Sequence, residues 1–140
     1  MVARLDFTAS ATVFVVDDDE TVRDTLGLLL RIEGYETRAF VDAGSFLDAV
    51  RQQKPACIIL DLNLPDESGL RVLRQLAAIH AAMPPVVVIS GHGDVATAVA
   101  AMKLGAVDFL EKPFAANAMV ARVRDTVAVH RRAQEVHIEG

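Results

Sequence analysis

The sequence predicts an α/β sandwich, a parallel sheet covered on both faces by helices. Two patterns alternate along the chain: short β-branched runs, then longer stretches with apolar residues at helical spacing. Three of the short runs are almost continuously apolar, as strands buried on both faces of a parallel sheet must be. The alternation repeats as five β-α units, and right-handed crossovers distribute the intervening helices over both faces.

The strands are expected at 12–17 (TVFVVD), 36–40 (ETRAF), 56–61 (ACIILD), 85–90 (PVVVIS) and 106–110 (AVDFL). A first helix is expected over 21–33, with Val22, Leu26, Leu29 and Leu30 on one side and Gly34 as its stop. Residues 42–53 carry Ala43, Phe46, Leu47 and Val50 at i, i+3, i+4, i+7. Residues 94–104 repeat that spacing with Val95, Ala98, Val99 and Met102, and Gly105 follows as a second stop. The remaining helices are expected over 67–81 and 115–132, the last striped by Met119, Val123 and Val127.

The totals bound the function. A chain of 140 residues, 52% hydrophobic, suits one domain with a core that needs no disulfide or structural metal. A formal net charge of −5 does not suggest the basic face of a nucleic-acid-binding domain. The single cysteine, Cys57, lies in the apolar run ACIIL and reads as a small buried hydrophobe. The first residues lack the apolar core of a signal peptide, and no apolar run reaches the roughly 20 residues of a membrane span. A soluble cytoplasmic protein with no membrane partner is the expectation. The basic cluster Arg122, Arg124, Arg131 and Arg132 reads as a solvated helix face.

In parallel sheets of this kind, ligands bind outside the carboxyl ends of the strands. There the sequence places Asp17 and Asp18 after the first strand, Asp61 on the third, Ser90 on the fourth and Lys112 after the fifth. Two carboxylates about 4 Å apart repel by about 4 kcal/mol at an effective dielectric of about 20, and a third adds to the strain. Either some are protonated or a cation binds. Oxygen donors without His or Cys favour a hard ion such as Mg²⁺. Asp19 and Glu20 read differently, as acids that open the following helix.

A carboxylate such as Asp61 beside a metal can attack phosphorus and form an aspartyl phosphate. Lys112 would supply a point charge, Ser90 a hydroxyl, and Gly91 room and a free backbone N–H. Pro113 puts Lys112 in a loop, with the isomer of the Lys112–Pro113 bond left open.

The segments VFVVDDDE, CIILDLNLPDESGL and VVVISGHGDVATAVAAMKLGAVDFLEKPF together resemble the receiver domain of two-component response regulators, the last of them most like the FixJ type of the FixJ/NarL group. The resemblance covers roughly residues 12–130, leaving 1–11 as an N-terminal extension and 131–140 as a tail toward an effector domain. It implies a flavodoxin-like (βα)5 fold with strand order 2-1-3-4-5. It implies Asp61 as phospho-acceptor from a histidine kinase, and Mg²⁺ (or Mn²⁺) held by Asp18, by Asp17 through water, by Asp61 and by the Asn63 carbonyl. Ser90 and Lys112 would bind phosphoryl oxygens, and Phe109 would be the switch aromatic. Asn63 and His92 would tune the phosphoryl lifetime. Ser90 stands where Thr is frequent, and Phe109 where Tyr is common, so a switch here rests on packing without a phenolic hydrogen bond.

Phosphorylation would then reshape the surface of residues 91–114, with Val95, Ala96 and Val107 as exposed apolar candidates, and drive homodimerisation or an output domain. A regulator of this type reaches DNA through a helix-turn-helix effector domain outside residues 12–130; a stand-alone receiver acting on a protein partner is the alternative. A small hydrolase with an aspartyl-phosphate intermediate is disfavoured by Asn63, which stands where a general acid would be needed. A nucleotide- or flavin-binding domain is disfavoured because no glycine-rich phosphate loop follows the first strand.

Overall fold

A computed structural model describes residues 11–139, with side chains through Gln134. The N-terminal extension expected over 1–11 lies outside the described residues except for Ala11. Five strands alternate with five helices: β1 (Thr12–Val16), α1 (Glu20–Ile32), β2 (Glu36–Phe40), α2 (Ala43–Gln52), β3 (Cys57–Asp61), α3 (Gly69–Ile79), β4 (Val86–Ser90), α4 (Val95–Lys103), β5 (Asp108–Glu111) and α5 (Ala116–Glu139). All strand pairs are parallel, in the order β2-β1-β3-β4-β5. This is the flavodoxin-like fold.

Side-chain alternation along the strands divides the core in two. Phe14, Val16, Ile58, Leu60, Val86 and Val88 face α2, α3 and α4. Val13, Val15, Cys57, Ile59, Val87 and Ile89 face α1 and α5, meeting Leu26, Leu30, Met119, Val123 and Val127. Cys57 is fully buried and burial pushes its thiol up to about 12, which leaves it inert as a nucleophile.

Gly34 and Gly105 end their helices at φ 98° and 113°, a left-handed region that favours glycine. The fifth strand starts later than expected because Ala106 is used to close α4, its N–H donating to the Ala101 carbonyl. It extends through Glu111, and the Lys112 N–H continues the ladder to the Ser90 carbonyl at 2.9 Å. The third helix starts at Gly69, two residues later than expected, because Ser68 caps it by accepting from the Leu70 N–H. The last helix runs past 132 to Glu139.

The apolar stripe of α4 is not the face that it buries, and Val95, Ala96 and Val107 are exposed as expected. Ala98 and Ala101 are buried, whereas Val95, Val99 and Met102 lie on the surface with Ala96 and Val107 nearby. The inner contact of this helix is made by alanines, so the larger side chains are turned to solvent. No helix of the described residues is long and apolar enough to cross a membrane.

Candidate functional site

The carboxyl ends of β1, β3, β4 and β5 meet at one edge of the sheet, and the polar residues singled out from the sequence gather there. Asp17 directly follows β1 and is completely buried. Its N–H donates to the Phe40 carbonyl at 3.1 Å and its Oδ1 accepts from the Asp19 N–H at 2.9 Å. Asp19 is the N-cap of α1, accepting from the Thr21 and Val22 N–H groups, and Glu20 is the first residue of that helix. The four acids thus divide into a site pair and a helix-opening pair.

Asp61 ends β3 at 2% exposure. Its Oδ1 accepts from the Asn63 N–H at 2.9 Å, and its Oδ2 accepts from Lys112 Nζ at 3.1 Å. Lys112 Nζ also pairs with Asp17 Oδ2 at 3.4 Å. The ammonium thus bridges two buried carboxylates. Burial pulls Lys112 down, but Asp61 and Asp17 outweigh it and hold the ammonium above the ordinary lysine value. The Lys112–Pro113 bond is cis.

Burial, reinforced by the charge of Asp61, pushes Asp17 up to about 6 against the opposing pull of the Asp19 N–H and Lys112. A raised folded-state value means that Asp17 favours folding most when protonated. That contribution is lost as pH rises from the ordinary aspartate range to about 6. At neutral pH the site therefore carries an electrostatic strain that a bound cation would offset.

The donor set fits a hard cation. Oxygens of Asp17, Asp18 and Asp61 lie within 4.8 Å of one another, Asp18 being exposed at the mouth. Asp17 Oδ2 is buried and, beyond its 3.4 Å ion pair with Lys112, accepts no hydrogen bond among the described residues, leaving a lone pair for a ligand. All three donors are carboxylates, the chemistry of Mg²⁺ sites.

Ser90 ends β4 at 1% exposure, one residue beyond Ile89, the partner of Asp61 in the β3–β4 ladder. Its Oγ is buried without a hydrogen-bond partner among the described residues. Gly91 follows, with Asn63 Nδ2 3.4 Å from where a Cβ would stand, and His92 is exposed on the loop. Phe109 is half-buried in β5 and packs against the core on the α2–α4 side. Arg122 and Arg124 form surface ion pairs with Asp108 and Glu33, and Arg131 and Arg132 are exposed.

Three residues at this edge escaped the sequence reading. Arg23 Nη1 donates to the Asp17 carbonyl at 2.9 Å, pinning the turn that carries the acid pair. Glu111 accepts from the Gly93 N–H at 2.8 Å, tethering the loop after β4 to the end of β5. Asp66 reaches the start of α2. The available signal was position alone: Glu111 neighbours Lys112, and Asp66 follows Pro65 in the loop after Asp61. Beside the site, an open groove of about 650 Å³ runs between α1 and the loop after β5, lined by Val22, Leu26, Pro113, Phe114 and Lys112 among others.

Comparison with known proteins places this geometry. Residues 13–124 match the model of the response regulator receiver domain. The transcriptional regulatory protein FixJ of Azorhizobium caulinodans is 48% identical over 115 residues, which are 82% of this chain and 54% of that protein. The response regulator protein TmoT of Ectopseudomonas mendocina is 38% identical over 125 residues, 89% of this chain and 56% of TmoT. The crystal structure of full-length FixJ from B. japonicum superposes with a TM-score of 0.80 at 38% identity, over 89% of this chain and 61% of that one. The receiver domain of NtrX from Brucella abortus gives a TM-score of 0.77 at 39% identity, over 83% of this chain and 98% of that one. The chain spans about half the length of the curated relatives it matches.

Proposed function

The chain belongs to the response regulator receiver family, and from that premise we propose that it is switched by phosphorylation of Asp61 by a sensor histidine kinase. As a receiver it is a signalling switch rather than a turnover enzyme. One observation carries the assignment: Asp61 is a buried strand-end carboxylate bound to Lys112, beside two further acids and a Ser90 hydroxyl that has no hydrogen-bond partner among the described residues.

The chemistry follows from those contacts. A carboxylate oxygen of Asp61 attacks phosphorus in line, the P–N bond to the donor imidazole breaks, and the imidazole leaves with its electron pair. Asp17, Asp18, Asp61 and the Asn63 carbonyl would hold Mg²⁺ (or Mn²⁺). When bound, that ion supplies charge neutralisation for the transferring oxygens. Lys112, already on Asp61, shifts to a phosphoryl oxygen, and Ser90 donates to another. Attack of water on phosphorus later breaks the acyl phosphate, restoring the Asp61 carboxylate and releasing phosphate. Asn63 and His92 flank that path and set its rate. The apolar groove along α1 and Phe114 suits a docking helix of the kinase.

The readout lies on α4 and β5. A new charge of about −1.5 to −2 draws Ser90 and its glycine-rich loop inward, and Phe109 repacks into the space released. The exposed Val95, Val99, Met102 and Val107 then form a homodimer surface or contact an output domain. Residues 12–130 make up the switch, and 131–140 lead toward the output. The curated relatives named as transcriptional regulators point to transcription control in the cytoplasm, with DNA contacted by an effector domain outside residues 12–130.

Incubation with acetyl phosphate and Mg²⁺, read by intact mass and by oligomeric state, tests the assignment. The wild-type chain is expected to gain one phosphoryl group and Asp61→Asn none. Uptake by Asp61→Asn would show the acceptor to be elsewhere.

A further inference from the structure

The loop between β3 and α3 carries both the acceptor and Asn63, and three contacts fix its course. At its base, Gly69 is pressed so closely on Leu62 that a Cβ there would stand 2.5 Å from the Leu62 Cα, and the Gly69 N–H donates to the Leu62 carbonyl at 3.1 Å. Across its middle, Asn63 and Ser68 form an antiparallel bridge. At its tip, the Asp66 carboxylate leaves the loop and grips another element. Its Oδ1 accepts from the Ala43 N–H at 2.9 Å and its Oδ2 from the Gly44 N–H at 3.1 Å.

That grip is not required to cap α2. The helix has its own N-cap, Asp42, which accepts from the Ser45 N–H at 2.9 Å and from Ser45 Oγ at 2.6 Å. Ala43 and Gly44, the first two helical residues, are left for Asp66. Both oxygens of one carboxylate on two successive N–H groups define the position of Asp66 better than a single bond does, and the helix dipole strengthens the pair. Helix α2 is in turn fixed to the core through Phe46, Leu47 and Val50.

Taking the receiver reading of the metal site as given, we propose that Asp66 is a positioning residue for that site: by clamping the loop tip to the first turn of α2, it holds the Asn63 main chain where its carbonyl can serve Mg²⁺. Asp66 touches neither the phosphoryl group nor the ion. Its influence passes through the two residues between it and Asn63, Leu64 and Pro65, inside a loop whose other end is locked by Gly69.

The test is Mg²⁺ affinity of the unphosphorylated protein, measured by isothermal titration calorimetry alongside thermal melting, for wild type, Asp66→Ala, Asp66→Asn and Asp42→Ala. Outer-shell partners of metal ligands commonly change affinity by about 10–100-fold. For this more remote contact, Asp66→Ala is expected to weaken Mg²⁺ binding by roughly three- to tenfold. Asp66→Asn retains only one of the two acceptor oxygens and should fall between wild type and Asp66→Ala. Asp42→Ala removes a cap of the same helix and should lower the melting temperature without moving the affinity. Asp66→Ala binding as tightly as wild type would overturn the proposal, as would an equal loss in Asp42→Ala. Asp66→Asn binding as weakly as Asp66→Ala would overturn it in favour of a simple field effect of the lost charge. A wild-type chain that binds no Mg²⁺ would remove the metal reading itself, and the positioning role with it.

Discussion

Helices α2 and α4 carry the same sequence pattern and use it in opposite ways. Ala43, Phe46, Leu47 and Val50 on α2 have the spacing of Val95, Ala98, Val99 and Met102 on α4. In α2 all four are buried, and Phe46 meets the rings of Phe14 and Phe40 at centroid distances of 6.2 and 6.0 Å. In α4 Val95, Val99 and Met102 are 53%, 45% and 39% exposed, while Ala98 and Ala101 are at 0%. At 100° per residue, the face that α4 buries is turned by roughly 100° from its apolar stripe. Helical spacing reveals that a stripe exists, and only the neighbouring surface decides what covers it. The energetic consequence is large, since a buried Phe or Leu contributes roughly 1.5–3 kcal/mol and an alanine far less. Helix α2 is therefore bolted to the sheet and anchors the loop after Asp61 through Asp66. Helix α4 is held by two alanines and by a loop tethered through Glu111 and Gly93, which suits the movement proposed for it.

The largest expected effect breaks the α2 side. Phe46→Ala removes a fully buried ring from the three-Phe cluster, and truncations of this kind cost about 3–5 kcal/mol. Urea denaturation should show that loss in the midpoint without a change in slope. A loss below about 1 kcal/mol would mean the cluster relaxes to fill the void, and α2 would not be the rigid partner in the comparison.

A middle-sized effect sharpens the α4 side. Ala101 sits in the core with no exposure, so Ala101→Leu has to push the helix outward or strain its neighbours. Overpacking of this sort costs about 1–3 kcal/mol. Stability unchanged or increased in the same denaturation assay would show that the alanine contact leaves spare room, and that small residues are not what sets the distance of α4 from the sheet.

The same contrast explains how far the sequence could be read. Strands β1, β3 and β4 were legible because burial on both faces leaves an unmistakable apolar run. The gathering of Asp17, Asp61, Ser90 and Lys112 followed from the rule that parallel strands deliver their carboxyl ends to one edge. The orientation of α4 was legible only in part: Val95 and Ala96 were expected at the surface, but Val99 and Met102 were not, because alanines are too small to mark the face that the sheet admits. The roles of Arg23, Asp66 and Glu111 were also hidden. Each acts on a backbone group that strand or helix periodicity does not pair with it (Arg23 on one six positions earlier, Glu111 on one 18 earlier, Asp66 on residues 22 and 23 positions earlier), and no local pattern encodes such a contact.

The smallest expected change in stability is the most informative about purpose. Val99 is 45% exposed in the middle of the α4 stripe, so Val99→Ser removes little buried area and should alter the unfolding free energy by no more than about 0.5 kcal/mol. If the stripe is the surface on which the phosphorylated form associates, the same substitution weakens that association, because a central apolar side chain of an interface carries a disproportionate share of its energy. Analytical ultracentrifugation with and without acetyl phosphate and Mg²⁺ reads this directly: the unphosphorylated variant should sediment as wild type, and the phosphorylated variant should need a higher concentration to associate. A variant that loses several kcal/mol of stability would show the stripe to be part of the core after all, and α4 would rejoin α2. A variant that is stable and associates like wild type when phosphorylated would leave the contrast between the helices intact but move the readout off this face of α4.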